Sequence, residues 1–267
     1  MTTTGYRPPV GVMLRRWRER RRLSQLALSV RADISTRHLS FLETGRSTPS
    51  RGMLLRLAEE LEIPLRERNP LLLAAGFAPM YAETGLDSPS MVAVQAAVRQ
   101  VLTGHEPYPA LAVDRHWELV GANAAVDLLT AVVAPELLEP PVNVLRLSLH
   151  PLGLAPRIAN LGEWRAHLFS RLRRQIAHTG DRQLALLYEE LRGYPCDQPE
   201  LDVELPGPGE FVVPLRIRSD AGELSFVSTT TVFGTPLDIT VAELAIEAFL
   251  PADATTASAL HGSWTAR

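Results

Sequence analysis

The chain of 267 residues is longer than the usual domain of about 100 to 200 residues, so two domains are expected. Hydrophobic residues make up 46% of the chain and charged residues 21%, proportions of a globular protein that exclude wholesale disorder. The longest apolar run, residues 71–82, is much shorter than the roughly 20 residues of a membrane span, so no membrane association is expected.

The cysteine content and the N-terminus narrow the class of protein further. Cys196 is the single cysteine, which excludes an internal disulfide and a thiolate zinc site. We therefore expect no metal and no resident cofactor. The N-terminus has no apolar segment ahead of its arginines, which is the wrong order for a secretory signal, so a cytoplasmic location is expected.

Charge is divided unevenly along the chain. All 27 basic residues are arginines. Residues 1–78 carry 14 arginines and seven acidic residues, a net charge of +7, whereas the remainder carries 13 arginines and 23 acidic residues, a net charge of −10. This asymmetry indicates that the first part meets a polyanion. The alternative is that arginines merely solvate the outer faces of helices.

Residues 10–78 have the pattern of five short helices. From Val10 onward apolar positions alternate with arginines, which predicts an amphipathic first helix. Asp33 is expected to form a left-handed turn between the second and third helices. The fifth helix is expected to open at Asn69-Pro70 and to close at Gly76. Serines are expected to cap the second, third and fourth helices: Ser24, Ser35 and Ser50.

The segment LSQLALSVRADISTRHLSFLETGRSTPS resembles the helix-turn-helix domain of the Cro/phage-repressor type, the XRE-like family of bacterial regulators. The resemblance extends from about Gly11 to Ala78. Ser29 and Asp33 depart from it, since the family commonly has Ala and Gly at these positions. The resemblance implies that the third helix enters the major groove of double-stranded DNA. The residues expected to contact DNA are Gln25, Ser35, Thr36, Arg37, His38, Phe41, Arg46, Ser47 and Thr48.

These residues are expected to divide into base readers and backbone contacts. Arg37 suits a bidentate contact to guanine, and Phe41 offers an apolar surface to a thymine methyl group. A place in the small core is the alternative for Phe41. Gln25 is expected to bind phosphate at a helix N-terminus, and residues 46–48 are expected to hold the DNA backbone without reading sequence.

Three further segments follow the basic part. Residues 79–89 break every periodicity and are rich in turn formers, so they are predicted to be a linker. Residues 90–253 are predicted to form a second domain, which we expect to hold a dimer together. Residues 254–267 are predicted to be a C-terminal tail.

The second domain has strand patterns near both ends and helix patterns between them. One hairpin is expected around residues 114–116, and a second pairs 211–218 with 223–233. A long amphipathic helix is expected between Ile158 and Ile176, and a final helix from Val241 to Phe249. An all-α, five-helix head is therefore expected to precede an α+β domain with an antiparallel sheet covered on one face. The order resembles a PAS fold.

The segments DRHWELVGANAA and LSFVSTTTVFGTPLDITVAELAIEAFLPAD resemble the ligand-binding domain of the MmyB-like transcription regulators, which join an XRE-type head to a PAS-like sensor. The resemblance implies a cavity for a small apolar or amphiphilic effector, with fatty acids as the leading class. The alternative is that the apolar side chains make a filled core. The residues expected to line the cavity or to bind a head group are Arg115, Trp164, His167, Phe169, Phe226, Thr230 and Val232.

Catalytic motifs are missing from the sequence. It contains no G-x-S-x-G elbow, no Walker sequence and no H-E-x-x-H, so an enzyme is not expected. The sequence predicts a ligand-responsive regulator that binds operator DNA as a homodimer, since such motifs usually act in pairs. One alternative is a DNA-binding protein whose second domain serves only for oligomerisation or partner binding. The other is an enzyme with an accessory DNA-binding head.

Overall fold

A computed structural model describes residues 8–199, 212–220 and 222–265 of the chain. The chain divides into two compact units, with the main boundary between Thr84 and Gly85. The segments Ala177–Thr179 and Pro236–Ile239 are grouped with the first unit. The expected fold class is confirmed, because five helices precede an α+β domain with an antiparallel sheet.

The head contains the five expected helices. They are α1 (Val10–Arg20), α2 (Gln25–Arg31), α3 (Thr36–Glu43), α4 (Arg51–Glu60) and α5 (Leu65–Ala74). The three serine caps are confirmed, because each hydroxyl oxygen accepts a hydrogen bond from a backbone N–H in the first turn of α2, α3 or α4. Asp33 has a φ of 52°, the left-handed conformation expected at the turn before α3.

Helix α5 begins earlier than expected. It starts at Leu65, and Pro70 lies inside it rather than at its first position. Proline fits a helix start because it has no N–H to donate, and that preference misplaced the boundary. Asn69 does not cap the helix. Its Oδ1 accepts hydrogen bonds from the backbone N–H groups of Met80 and Tyr81, and its Nδ2 donates to the Tyr81 carbonyl.

Leucines from all five helices fill the core of the head. Leu14, Leu28, Leu39, Leu54 and Leu71 are each at most 1% exposed. Helix α1 approaches α3 so closely that a Cβ atom at Gly11 would lie 2.2 Å from the carbonyl oxygen of Leu42. Only glycine fits there. Helix α1 therefore packs directly on the inner face of α3, and the opposite face of α3 points outward.

Beyond Thr84 the chain forms seven helices and five strands among the described residues. The first group is α6 (Val92–Gly104), β1 (Ala110–Val113), β2 (Leu119–Ala122), α7 (Asp127–Thr130), α8 (Val144–Leu149), α9 (Leu161–Thr179) and α10 (Arg182–Arg192). The second group is β3 (Leu215–Ser219), β4 (Gly222–Val232), α11 (Ile239–Ala242), β5 (Ala245–Pro251) and α12 (Ala254–Thr265).

The five strands form one antiparallel sheet in the order β2-β1-β5-β4-β3. The hairpins β1–β2 and β3–β4 are confirmed, although Phe211 and Ala221 of the second prediction lie outside the described residues. The predicted helix over 241–249 is wrong. Its second half is β5, the middle strand, which pairs with β1 and β4. Its Ala, Glu and Leu residues favour a helix in isolation, and pairing on both sides overrides that preference.

The sheet is covered on both faces, not on one as expected. In β1, Leu111 and Val113 join a large apolar cluster with α9 and α10. Ala110 and Ala112 point to the other face and pack in a smaller cluster with α6. A strand buried on both faces has no polar alternation. The apolar sequence of β1 therefore could not show whether helices cover one face of the sheet or both.

The segment expected to be a tail contains helix α12. Leu260 is only 2% exposed and belongs to the large apolar cluster, and the Thr256 hydroxyl accepts a hydrogen bond from the backbone N–H of Ser225 on β4. The described part of 254–267 is therefore packed into the second domain, and residues 266–267 lie outside the described residues. Among the described helices, none combines the length and the apolar character required to span a membrane.

Candidate DNA-binding surface and ligand cavity

Arg37 on α3 and Arg46 in the loop that follows both lie close to the ring of Phe41. The guanidinium carbons of Arg37 and Arg46 lie 5.3 and 5.8 Å from the centroid of the Phe41 ring. Phe41 is half-buried, and it lies outside the apolar cluster that forms the core of the head. Its surroundings therefore favour the surface role over the core role. Two cations beside an apolar ring present the donors and the methyl-binding surface that base edges in the major groove require.

The loop after α3 is folded back onto the same surface. The backbone N–H groups of Arg46 and Ser47 donate to the carbonyl oxygen of Phe41 over 2.8 and 3.2 Å. This places Arg46, Ser47 and Thr48 next to the end of α3, where Arg46 and Thr48 are exposed. The arrangement suits the backbone-holding role predicted for this loop, which stays a prediction.

Residues at the start of α3 are engaged in contacts within the motif. Ser35 caps the helix by accepting from the His38 N–H over 3.1 Å. The hydroxyl groups of Thr36 and Ser29 lie 3.0 Å apart and share a hydrogen bond. Ser29, where the XRE-like family commonly has Ala, therefore links α2 to α3. His38 is half-buried.

A buried ion pair holds α1, α2 and α3 together. Arg18 donates from Nε and Nη2 to the two carboxylate oxygens of Glu43 over 2.6 and 2.9 Å, and both residues are under 10% exposed. The hydrogen bond to Glu43 raises the pKa of the Arg18 guanidinium above its ordinary value. The same carboxylate accepts a bond of 2.8 Å from Nε2 of Gln25. That bond fixes the Gln25 side-chain amide at the start of α2. The Nε2 atom carries two hydrogens, so one remains to donate to the phosphate predicted to bind here.

Sequence reasoning missed this pair because it treated the arginines of the first helix as one alternating set and sought a buried partner for none of them. The available signal was spacing: Arg18 follows Leu14 by four residues and adjoins Trp17, so it lies on the apolar face of α1. An arginine on that face needs a buried acidic partner, and Glu43 is the acidic residue of α3.

An apolar cavity of about 230 Å³ lies within the second domain, between the sheet and the helices that cover it. Trp164 lines it, as predicted, and donates from its indole Nε1 to the Ser148 hydroxyl over 2.9 Å. Leucines supply much of the remaining wall: Leu129, Leu145, Leu147, Leu154 and Leu168. The cavity therefore offers a surface suited to a hydrocarbon group.

Three residues predicted to line this cavity lie elsewhere. Phe169 and Phe226 are 3% and 0% exposed, and they fill the packed core. Val232, at the end of β4, is 62% exposed. For Phe169 and Phe226 the filled-core alternative is correct. The apolar pattern of a strand or helix identifies a buried face, but it does not show which part of that face is left open.

A second, polar cleft of about 310 Å³ lies in the same domain. Two of the residues predicted to bind a head group, Arg115 and Thr230, line this cleft and not the apolar cavity. Arg174, Gln175 and Glu243 also line it. The polar partners predicted from sequence are thus separated from the apolar wall that was expected to accompany them.

His167 lines neither space. Its ring stacks on Trp164 with the centroids 5.3 Å apart, and its Nε2 atom is buried without a hydrogen-bond partner among the described residues. Burial, together with the positive charges of Arg171 and Arg174, lowers the pKa of His167 to about 4. The imidazole is therefore uncharged at neutral pH, so any contact with a head group would be a hydrogen bond and not an ion pair, and its role as a head-group partner stays a prediction.

Three residues missed by sequence reasoning line both spaces: Trp117, Arg171 and Glu247. Arg171 pairs with both carboxylate oxygens of Glu247, over 2.6 and 3.0 Å, and its guanidinium lies 4.8 Å from the centroid of the Trp117 ring. Glu247 is 3% exposed and also accepts from the Thr230 hydroxyl over 2.8 Å. Glu247 was hidden inside the predicted final helix, and only the true register of β5 brings it to Arg171.

These two sites define a class of protein, one with a DNA-binding head and a small-molecule domain. The family model for the MmyB-like transcription regulator ligand binding domain matches residues 94–262, more than half of the chain, and a helix-turn-helix model matches residues 14–68. The chain belongs to the MmyB-like transcription regulators, which confirms the family inferred from sequence. It combines a helix-turn-helix head with the ligand-binding domain of that family.

Comparison with individual proteins adds little to this assignment. No curated protein matches the chain significantly. Among solved structures, one match is to a structure described as an RNA-binding Light-Oxygen-Voltage Receptor, with 14% identity. It covers 95% of this chain, which spans 62% of that structure's length, and the TM-score of 0.28 is too low to bear on fold or function.

Proposed function

We propose that this protein binds operator DNA as a homodimer and that a small apolar or amphiphilic molecule, such as a fatty acid, controls that binding. The observation that carries the effector class is the apolar cavity of about 230 Å³ in the ligand-binding domain. We further propose that the protein is a regulator without enzymatic activity or a resident cofactor. Chemical analysis of a fatty acid recovered after incubation tests that point, and a modified product would contradict it.

The surface of α3 supports the DNA half of the proposal. Arg37 and Arg46 are exposed, and their guanidinium groups make no hydrogen bond or ion pair with the described residues. Unpaired cations on a rigid helix are free to contact base edges and phosphates without first breaking internal bonds. Because both lie next to Phe41, the two kinds of contact come from α3 and the loop that follows it.

The dimer follows from the small footprint of one head. A single module of this size covers too few base pairs for strong specificity, and two heads on half-sites about 34 Å apart solve that problem. Sedimentation of the full chain of 29.4 kDa should give twice that mass. A fragment ending after Tyr81 should sediment as a monomer and bind operator weakly. A dimeric fragment that binds as tightly as the whole chain would contradict the assignment of dimerisation to the second domain.

A cavity-filling substitution tests the effector class. Val126 is buried and lines the cavity, so Val126→Phe should occupy part of the space and shorten the longest saturated fatty acid that binds well. Phe226→Leu is the matched control, because Phe226 is buried away from the cavity and its loss should lower stability only.

Calorimetric titration of fatty acids of increasing length into the three proteins is the measurement. An affinity that depends on chain length in the wild type, and that Val126→Phe alone cuts off, supports the proposal. An affinity indifferent to length and to both substitutions would favour the alternative, in which the second domain is only a platform for oligomerisation or partner binding.

A further inference from the structure

One polar wall separates the apolar cavity from the polar cleft. Trp117, Arg171 and Glu247 line both spaces, so these three residues lie where the cavity and the cleft meet. Arg171 lies on α9, Glu247 on β5, and Trp117 between β1 and β2. The wall is therefore assembled from three separate elements rather than from one continuous segment of backbone.

Two of the three wall residues are firmly placed. Glu247 sits on the middle strand of the sheet and is 3% exposed. Trp117 has a φ of 67°, an unusual conformation for so bulky a residue, and its indole Nε1 donates to Gln175 over 2.9 Å. Arg171 alone has a long, flexible side chain, half-buried at the protein surface. Rotation of Arg171 away from Glu247 is thus the smallest movement that joins the two spaces.

The charges on the two sides of this wall differ. Within the apolar cavity the lining acids are Asp127 and Glu247, and Arg171 is the one lining cation among the described residues. On the cleft side, Arg115 and Arg174 join Arg171, and Asp114 and Glu243 join Glu247, so three arginines face three acids. Arg174 is exposed and makes no hydrogen bond or ion pair with the described residues, and Arg115 lies 3.9 Å from Glu243. The charged residues that line the cavity sum to −1 and those that line the cleft sum to zero, so a carboxylate is less strongly repelled in the cleft, where Arg174 is the cation left for it to pair with.

We propose that Arg171 is a movable partition, and that the effector is an amphiphilic acid whose hydrocarbon chain fills the apolar cavity while its carboxylate lies in the cleft. Arg171 leaves Glu247 to let the chain pass and then, with Arg174, binds the carboxylate. Glu247 keeps the hydrogen bond from Thr230, so its carboxylate is not left without a donor. This inference rests on the proposed function, because it assumes that the domain binds an amphiphile.

Two ligands with the same chain and different head groups test the partition. Dodecanoic acid and dodecan-1-ol are titrated by calorimetry into the full-length wild type and three variants. Arg174→Gln removes the spare cation of the cleft, and Glu247→Gln removes the charge that holds Arg171 while keeping an oxygen that accepts from Thr230. Arg173→Gln is the matched control, since Arg173 is exposed on α9 and lines neither space.

The partition predicts opposite effects of the two cleft substitutions. Arg174→Gln should lower the affinity for the acid about tenfold and leave that for the alcohol within about twofold, because one charge-assisted contact is lost. Glu247→Gln should raise the affinity for the acid by a similar factor, because Arg171 no longer has a competing carboxylate. Arg173→Gln should change neither affinity.

The possible failures are distinguishable. If Arg174→Gln changes acid and alcohol affinity equally, or if Glu247→Gln weakens acid binding, the partition is wrong although the domain still binds amphiphiles. If the wild type binds neither ligand, the effector class of the proposed function fails, and the partition fails with it. If Glu247→Gln does not fold, Arg174→Gln still decides the position of the head group.

Discussion

The head and the second domain place their functional residues in opposite locations. In the head the core is filled, and the residues expected to meet DNA lie on the surface of α3 and the loop that follows it. In the second domain a cavity lies inside, and a buried ion pair forms part of its wall. Contact with DNA depends on a few exposed side chains on a rigid helix. Ligand binding depends on where the packing of the core leaves space.

The two domains also use buried ion pairs differently. Arg18–Glu43 joins three helices of the head and lines neither of the two cavities, so its role is to fix geometry. Arg171–Glu247 has similar distances but lies between two open spaces. An arginine–glutamate pair thus fixes the geometry of the head, whereas in the second domain such a pair is proposed to open.

The largest expected difference between the two domains is in how ionic strength affects their ligand affinities. DNA binding by a dimer that neutralises about 6 to 10 phosphates should weaken by about 10³ to 10⁵ between 50 and 200 mM salt. The affinity for dodecanoic acid should change far less over this range, because only one charged contact, that of the head group, is weakened by salt. Fluorescence anisotropy with operator DNA, alongside calorimetry with the acid, measures both. A flat DNA response would remove the electrostatic basis of the DNA-binding assignment.

Removing the buried pair of the head should have the next largest effect. Glu43→Ala leaves Arg18 buried without a partner, so the free energy of unfolding of the head should fall by about 3 to 5 kcal/mol. Glu19→Ala is the control, because the Arg15–Glu19 pair is exposed and its loss should not be measurable. Urea denaturation followed by circular dichroism compares the two. Equal effects would mean that burial does not distinguish these pairs.

The two domains also differ in how much of their structure could be predicted from the sequence. The caps of the head were predictable, because a serine before an apolar repeat has a local cause in the unpaired N–H groups of the first turn. Strand β5 was not, because its residues favour a helix until β1 and β4 pair with it. Of the residues predicted to bind the effector, Trp164 lies at the cavity and Phe169 lies in the packed core, because an apolar stripe does not show where packing stops.

Base reading and backbone contact should separate within the head. Arg37→Ala should weaken binding to the operator by about 1 to 3 kcal/mol and relax preference at one base pair. Arg46→Ala should weaken binding to operator and scrambled DNA alike, because phosphate contacts carry no sequence information. Anisotropy titrations of both variants on both DNAs decide between the roles. Sequence-blind losses in both variants would exclude Arg37 as a base reader.

A further expected effect, confined to acid pH, concerns His167. Because burial lowers the folded-state pKa of His167 to about 4, the folded protein binds fewer protons than the unfolded chain below about pH 6.5. The stability that depends on the neutral imidazole is present above pH 6.5 and is lost as the pH falls towards 4. His167→Gln should flatten the decline of unfolding free energy over that range. An unchanged pH profile in denaturant titrations would show that His167 is not buried as described.

The most direct test of the central claim is the coupling between the two sites. If the effector controls DNA binding, dodecanoic acid must change the affinity for operator DNA, and operator DNA must change the affinity for dodecanoic acid by the same factor. Both affinities are measured on the same full-length protein, each with the other ligand absent and then saturating. Two equal factors, different from one, are the result that this account predicts. Factors of one in both directions, with both ligands bound, would contradict it.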